Sequence, residues 1–492
     1  MWRRQFEISK EEDAGSASTA LGTGCDPALQ RAGTTDARAK RDKSELAIHT
    51  HRGVNWPELF RQPGFPFFFT GMFISLFGTG MSFAGVTWYV LRETNSTVQV
   101  SLVTVLVMLP GLVVPFIGGV LIDRLDRRYL AITLDVARGA VVLGTAAIAW
   151  WGTLHVWQVY VMVFLLGVGF AIYWSTTHAL LQEVVPRAGL VGGNAAVLVA
   201  IQGGMMTAGA VVGFVYDHWG IGAILTVDGA TYVVSALCLW GLRSGYHAPH
   251  AHAEVEEPAA EEAATGEEVE VLVPPVLLDS AEAQAPPSVL ADIREGLRYL
   301  RSQPEVLSLG LTYSCMMAGV VSGNVVLVAL AQDVLNAGAR GFGFLESGWA
   351  VGAITGGLAT GWLTQRRPFL VLVAALGTLA IGHAAFPYAR WLAVAVGMNV
   401  VFGACRALGG VLTQSTIMAT VPRRLMGRTQ SAFAVITTLM QVVISFTLGW
   451  LAQHVGLALA FGVLGVLYGG AAAAALRARA LSHTARGAMA SG

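Results

Sequence analysis

Twelve apolar stretches, each about 20–30 residues long, alternate with short polar segments along this chain. They fall at 65–91, 98–122, 129–151, 156–180, 191–216, 220–243, 305–331, 343–364, 368–388, 391–420, 427–452 and 457–476. Each is long enough to cross a hydrocarbon core of about 30 Å with some tilt. The runs are too long and too uninterrupted for the strands of a membrane barrel. Backbone N–H and C=O groups in lipid must satisfy one another within a segment, so the stretches are predicted to be helices. The predicted fold is an all-α integral membrane protein, with twelve transmembrane helices in two six-helix halves.

The polar segments set orientation and boundaries. With the N-terminal tail taken as cytoplasmic, the short inner loops hold Arg124, Arg127, Arg128, Arg187, Arg366, Arg367, Arg423, Arg424 and Arg428. The outer loops hold Arg92, Arg340 and Arg390, an imbalance that follows the positive-inside rule. An even number of spans then returns the C-terminus to the cytoplasm. Residues 1–60 read as a polar, disordered cytoplasmic tail, and no secretory signal is visible there. Residues 61–243 form the first predicted bundle, and 244–290 an acidic, solvated linker containing EVEEPAAEEAATGEEVEV. Residues 291–478 hold the second bundle, and 479–492 a short tail. At the start of the second bundle, Ile293, Leu297 and Leu300 recur at helical spacing, which predicts an amphipathic surface helix leading into span seven.

Composition sharpens the membrane reading. Charged residues make up 13% of the chain, against about 25% in soluble domains, too few to coat a water-soluble globule of 492 residues. A formal net charge of zero gives no footprint for nucleic acid. The four cysteines (Cys25, Cys238, Cys315, Cys405) show no paired spacing, and the last three read as small buried residues. His247, His250 and His252 could touch a metal, but three histidines in a flexible acidic linker more often do nothing specific, and no metal or cofactor is expected. The chain has no phosphate-binding loop and no HExxH, CxxC or GxSxG motif, so ATP-driven transport and enzymatic activity are not expected.

Charge is concentrated in one place. In GGVLIDRLDRRYL, Asp123, Arg124, Asp126, Arg127 and Arg128 put five charges into six residues between two apolar runs. The arginines help fix topology, but the two aspartates contribute little to it. The segment resembles the loop signature of the major facilitator superfamily, with Gly119, Leu121, Asp123, Arg124, Arg127 and Arg128 in register and Asp126 in place of a glycine. That variant, with TLDVARGA, LLQEVVPRAGLVGGNAA, DIREGLRYLRSQPEV and TVPRRLMGRTQSAF, is similar to the macrolide-efflux and enterobactin-exporter subgroup. Gly361, Leu363, Arg366 and Arg367 form a degenerate echo in the second half, as an internal repeat would. The resemblance implies alternating access, with Asp123 capping the inner end of span eleven near Gly427 in the outward-open state. A carboxylate there is favoured by the free N–H groups and partial positive charge of a helix start. Asp135 and Arg138, at i and i+3 on span three, are expected to pair with each other or with this loop. In span five, Ala208 and Gly209 stand where antiporters of the superfamily carry Gly-Pro, and only Gly213 of the following glycine pair is present.

An ionisable side chain at membrane depth is costly and is a functional candidate by default. Arg406 lies about 14 residues, roughly 21 Å, from the inner end of span ten and is a candidate substrate contact. Its planar fork suits an anionic or carbonyl-rich group. Tyr173, Trp174, Gln202, Asn324, Asn399 and Gln441 are further candidate cavity residues, each of which could instead bind helices together. Asp228, His178 and Glu183 are candidates for proton coupling, and His383 is expected at the outer interface. Span one carries no acidic residue in FISLFGTGMSFAGVTWYVL. The leading expectation is a monomeric, multi-pass exporter of a drug, siderophore or similar metabolite in a bacterial inner membrane, with a proton as coupling ion. Uptake of a metabolite, or a receptor or scaffold without transport, are the alternatives.

Overall fold

The computed structural model describes residues 56–112, 114, 125–185, 189–242, 289–364 and 367–490. Asp123 and Arg124, together with Gly119, Leu121, Arg366, the tail to residue 55 and nearly all of the linker, lie outside the described residues. Among the described residues every regular element is a helix. In chain order these are α1 (Trp56–Arg61), α2 (Phe65–Thr94), α3 (Thr97–Met108), α4 (Arg127–Trp151), α5 (Val156–Val184), α6 (Leu190–Gly241) and α7 (Val289–Ser302). They continue with α8 (Pro304–Ala329), α9 (Gly338–Leu363), α10 (Pro368–Ala385), α11 (Leu392–Thr420), α12 (Arg423–His454) and α13 (Leu457–Ala490).

Local chemistry explains where these helices begin and break. Ser96 caps α3 by accepting a hydrogen bond from the Gln99 amide, and Asp126 caps α4 through the amides of Arg128 and Tyr129. Pro304 and Pro368 stand at the first helical positions of α8 and α10, where a missing N–H costs nothing. Gly220, at φ 70°, is the one break in α6, so the two predicted spans five and six are arms of a single helical segment. The amphipathic helix appears as α7. The last helix runs to Ala490, well past the predicted end at 476, because the sequence there is rich in Ala and Arg, both good helix formers.

Nine helices among the described residues are long and apolar enough to cross a membrane, with α6 counted once. The predicted second and eighth spans do not meet that standard. The second is described only in part, as the apolar segment Thr97–Leu112. The eighth, α9, is diluted by glycine for a structural reason. Gly348, Gly352 and Gly356 form a stripe against Val396, Val400 and Ala404 of α11. A Cβ on Gly352 would sit 1.9 Å from the Val400 carbonyl oxygen, and one on Gly356 would sit 2.5 Å from Ala404 Cα. Gly403 of α11 answers from the other side, 2.1 Å from the Trp349 carbonyl oxygen by the same construction. These backbones touch directly, the usual way helices associate in lipid without a hydrophobic driving force.

The main contacts between the first half of the chain and the second are α3 along α12 and α6 along α9, with α8 and α9 also touching α2 and α8 touching α3. Gly352→Leu is expected to prevent the α9–α11 contact and to destabilise the protein by about 3 kcal/mol, the upper end of overpacking costs. Thermal unfolding of the purified variant in detergent checks this; an unshifted midpoint would mean that the helices separate without penalty.

Candidate substrate cavity and gate

The end of the charged loop ties three helices of the first half to one another. Arg127 forms an ion pair with Glu183 of α5 at 2.7 Å. Arg128 donates to the carbonyl oxygens of Leu239 (3.0 Å) and Trp240 (2.6 Å) in the last turn of α6, where helix carbonyls lack intrahelical partners. Asp126 caps its own helix, while Arg127 and Arg128 tie α4 to α5 and α6. Glu183, a candidate proton carrier, is the ion-pair partner of Arg127.

Deeper in α4, Asp135 and Arg138 pair with each other, as their spacing predicts, and both are buried. Ser235 of α6 donates to the second carboxylate oxygen of Asp135 at 2.7 Å. The Arg138 guanidinium carbon lies 4.0 Å from the ring centre of Tyr173 and 4.6 Å from that of Tyr232. The aliphatic part of Arg138 passes where a side chain on Gly169 would be, with Cγ 2.8 Å from the site of a Cβ. Burial of such a pair is tolerable because hydrogen bonds and aromatic faces replace water around both ions. Tyr173 therefore belongs to this ionic cluster and not to the cavity wall.

Tyr232 connects the cluster to a cavity of about 290 Å³ enclosed by residues from both halves of the chain. Its hydroxyl meets that of Thr79 at 3.1 Å, and both residues line the cavity. The walls are mainly apolar and aromatic, with Phe83, Phe170, Trp349, Phe386 and Phe461 among them. Gln202, Asn324 and Asn399 line it as predicted, although Asn399 donates to the Leu345 carbonyl oxygen at 2.8 Å. Trp174, His178 and Gln441 are not among the lining residues. His178 Nδ1 lies 2.9 Å from the Trp174 carbonyl oxygen, with the two rings 4.6 Å apart, and Gln441 reaches the Met317 carbonyl oxygen at 3.4 Å.

Two carboxylates enter the cavity from opposite halves of the chain. Asp228, on α6, is 0% exposed, and neither of its carboxylate oxygens has a hydrogen-bond partner. Glu346, on α9, also lines the cavity, and among the described residues it forms no hydrogen bond or ion pair. No lysine or arginine is among the lining residues. Glu346 is absent from the sequence-based candidates because the apolar run was taken to start at residue 343, which puts a glutamate at the water interface. The helix starts at Gly338, so Glu346 lies about 12 Å inside it.

Two other residues differ from expectation. His383, expected at the outer interface, is buried at the cavity wall, stacked on Phe402 at 4.3 Å and close to Tyr468 at 4.8 Å. Its Nδ1 lies 2.8 Å from the Leu379 carbonyl oxygen, so an aromatic and a backbone contact hold it at depth. Arg406 is not a lining residue. Its Nη2 donates to the Met317 sulfur at 3.2 Å, while its Nε is buried without a partner. Tyr468, which does line the cavity, also has an unpartnered hydroxyl.

At the predicted outer end the two halves are sealed. Thr97 donates to the Gly449 carbonyl oxygen at 2.6 Å, and Gln453 accepts from Ser96 and from the Val98 amide. On the other pair, Ser347 donates to the Met206 carbonyl oxygen, and Arg340 forms an ion pair with Asp217 at 2.8 Å. Small residues permit these approaches: a Cβ on Gly343 would lie 2.3 Å from the Gly209 carbonyl oxygen, and one on Gly213 would lie 2.4 Å from Arg340 Cα. The glycines of span five, which lack the proline of the antiporter pattern, thus serve the seal. At the opposite end, a Cβ on Gly427 would meet nothing within 4 Å.

A helical body with a cavity at membrane depth, enclosed from both halves and sealed at one end, defines a multi-pass membrane transporter. The chain belongs to the Major Facilitator Superfamily, whose family model matches residues 68–445. It is 23% identical to Macrolide efflux protein A of Streptococcus pyogenes over 307 residues, covering 62% of this chain and 68% of that protein. It is also 23% identical to the MFS-type transporter YfiS of Bacillus subtilis over 384 residues, covering 76% and 82%. A segment of 90 residues, 18% of this chain and 21% of the relative, is 32% identical to the multidrug efflux pump Tap of Mycobacterium tuberculosis. Among solved structures, a mutant of the nucleoside transporter NupG superposes with a TM-score of 0.63 at 12% identity, covering 84% of this chain and 98% of that one. The peptide-transporter-family protein PepTSo gives a TM-score of 0.60 at 10% identity, covering 86% and 98%. At these identities the solved structures establish the fold alone.

Gly449→Val puts a branched side chain where Thr97 and Ser101 already stand. It is expected to open the outer seal. Cysteine labelling at position 96 by an impermeant reagent added from outside should rise at least threefold over the same label in a Gly449 background; an equal rate would show that the seal lies elsewhere.

Proposed function

We propose that this chain exports a small, largely apolar molecule bearing a basic nitrogen, in exchange for protons carried by Asp228 and Glu346. The observation that carries this reading is the pair of carboxylates without ion-pair partners on opposite walls of one mainly apolar cavity. A bare carboxylate at such depth is costly, and a proton or a bound organic cation each relieves that cost. The two occupants therefore compete for the same groups, which is the minimal requirement for exchange. Aromatic side chains around the cavity favour a cation further. The efflux names of the relatives, at low identity, support export as the direction.

In this reading residues 61–243 and 291–478 are two six-helix halves that rock about the cavity, both termini are cytoplasmic, and the protein works as a monomer in a bacterial inner membrane. The structure then corresponds to the inward-facing state, sealed outside. Asp123 acts when the inner side closes, by capping α12 near Gly427. Arg406, buried near Tyr468 and not itself a lining residue, acts on the cavity through its charge. A receptor or scaffold gives no role to two bare carboxylates facing a shared cavity.

Transport into inverted vesicles tests the proposal with a fluorescent lipophilic cation as probe. Asp228→Asn and Glu346→Gln are each expected to lower proton-driven uptake at least tenfold, with normal amounts of protein in the membrane. Uptake that survives both changes together, or is indifferent to collapse of the proton gradient, contradicts the exchange. Arg406→Ala is expected to reduce transport at least tenfold without loss of folded protein, since removing an unpaired buried cation leaves no charge stranded. Full activity of that variant would remove Arg406 from the site.

A further inference from the structure

The helix that precedes span seven has two faces of opposite character. One face is joined to α12. Gly296 lies so close to that helix that a Cβ on it would be 2.3 Å from the Arg428 carbonyl oxygen and 3.1 Å from Ala432 Cβ. Leu300 is buried with Val306, Ile417, Val421 and Phe433 in an apolar cluster formed by α7, α8, α11 and α12. Glu295 and Arg428 close the contact with an ion pair at 2.5 Å. α7 is thus fixed to the helix start that carries Gly427.

The other face carries Arg294, Arg298 and Arg301 at i, i+4 and i+7, which places the three guanidinium groups along a single stripe. All three are exposed, and among the described residues none has a hydrogen bond or ion pair. Leu297, 37% exposed, lies beside the stripe. Gln303 alone separates α7 from Pro304, where the membrane-spanning α8 begins. The stripe is therefore at the membrane surface, with three cations, an apolar edge and, among the described residues, no counter-charge paired with them.

We propose that Arg294, Arg298 and Arg301 form a docking stripe for the headgroups of anionic phospholipids, and that α7 tethers the inner end of α12 to the lipid surface. Guanidinium groups bind phosphodiesters in a bidentate manner, and Leu297 meets the glycerol and upper acyl region. A negatively charged leaflet attracts such a basic segment within a Debye length. Because Gly296 leaves no slack against Arg428, a lipid that holds α7 also restrains α12. The tether rests on the reading that this end of the molecule faces the cytoplasm and takes part in gating. The docking itself requires only that α7 lie at a lipid surface.

The test uses the full chain and its Arg294→Gln, Arg298→Gln, Arg301→Gln triple variant. Both are reconstituted in nanodiscs of phosphatidylcholine, with or without about one third phosphatidylglycerol. Native mass spectrometry is expected to show at least fivefold preferential retention of phosphatidylglycerol by the parent and none by the variant. A parent that retains both lipids equally, or a variant that keeps the preference, overturns the docking. Stabilisation by inorganic phosphate equal to that by phosphatidylglycerol also overturns it. For the tether, a cysteine introduced as Gly427→Cys is labelled with a soluble maleimide. Its rate is expected to change at least twofold with phosphatidylglycerol in the parent and not in the triple variant; an unchanged rate in the parent overturns the tether. Reversed topology in intact cells would sink the proposed export direction while leaving the nanodisc lipid preference intact.

Discussion

A charge in hydrocarbon must be paired, hydrated or neutralised, and this constraint organises the interior of the protein. Asp135 and Arg138 settle it locally: their ion pair is completed by Ser235 and the faces of Tyr173 and Tyr232. Asp228 has no hydrogen-bond partner of normal geometry and Glu346 has no hydrogen bond or ion pair among the described residues, so neither is neutralised by a partner of its own. The contrast separates structural from functional charge more clearly than depth alone. A satisfied pair adds rigidity, whereas an unsatisfied group requires an occupant that arrives from outside the fold. The apolar cavity strengthens that requirement, because its aromatic walls offer shape and surface but no counter-charge.

Close backbone packing is the second constraint, and it operates at two places with different consequences. Along α9 and α11 the glycine stripe creates a contact within one half that has no reason to open. At Gly209, Gly213, Gly343 and Gly449 the same chemistry creates contacts between the halves. Those outer contacts are held by a few hydrogen bonds and one half-exposed ion pair, Arg340–Asp217. An exposed ion pair is worth little in water, at most about 1 kcal/mol. Intimate but weakly bonded packing of this kind seals against leakage and still separates at modest cost.

Much of this was legible in the sequence, and the failures have physical reasons. The helical spans follow from apolar run length, and the Asp135–Arg138 pair follows from i,i+3 spacing on a helix. The break between spans five and six was also placed correctly, because a glycine marks it. The cavity was harder to read. Gln202, Asn324 and Asn399 were found as polar groups in mid-span, but Tyr173 and Gln441 have the same signature and lie elsewhere. Helical periodicity gives the face of a residue relative to its own helix, not which neighbour that face meets. Glu346 was missed through a boundary error of about five residues, since a hydropathy count penalises the glycines that make α9 a tightly packed span. His383 was misplaced for a related reason: proximity to a helix end implies water only where the end is not covered by other helices.

The distribution of ties then constrains how the molecule can move. The arginines of the charged loop bind helices of the first half to one another: Arg127 to Glu183, and Arg128 to the end of α6. In the second half, Glu295–Arg428 and the cluster around Leu300 bind α7 to α8, α11 and α12. Among the described residues, the hydrogen bonds and ion pairs seen between the two halves lie toward the predicted outer end, except Ser347–Met206, which lies deeper, next to Glu346. Each half is thus cross-braced near the inner surface, while the two are latched to each other near the outer one. Among the described residues, these few bonds are the polar ties between the halves that opening of that end would break. The arginines of the charged loop, expected from its resemblance to act as a gate, are engaged here within the first half: Arg127 with Glu183, and Arg128 with the end of α6. These contacts brace α4, α5 and α6, the last of which carries Asp228, against one another at this end.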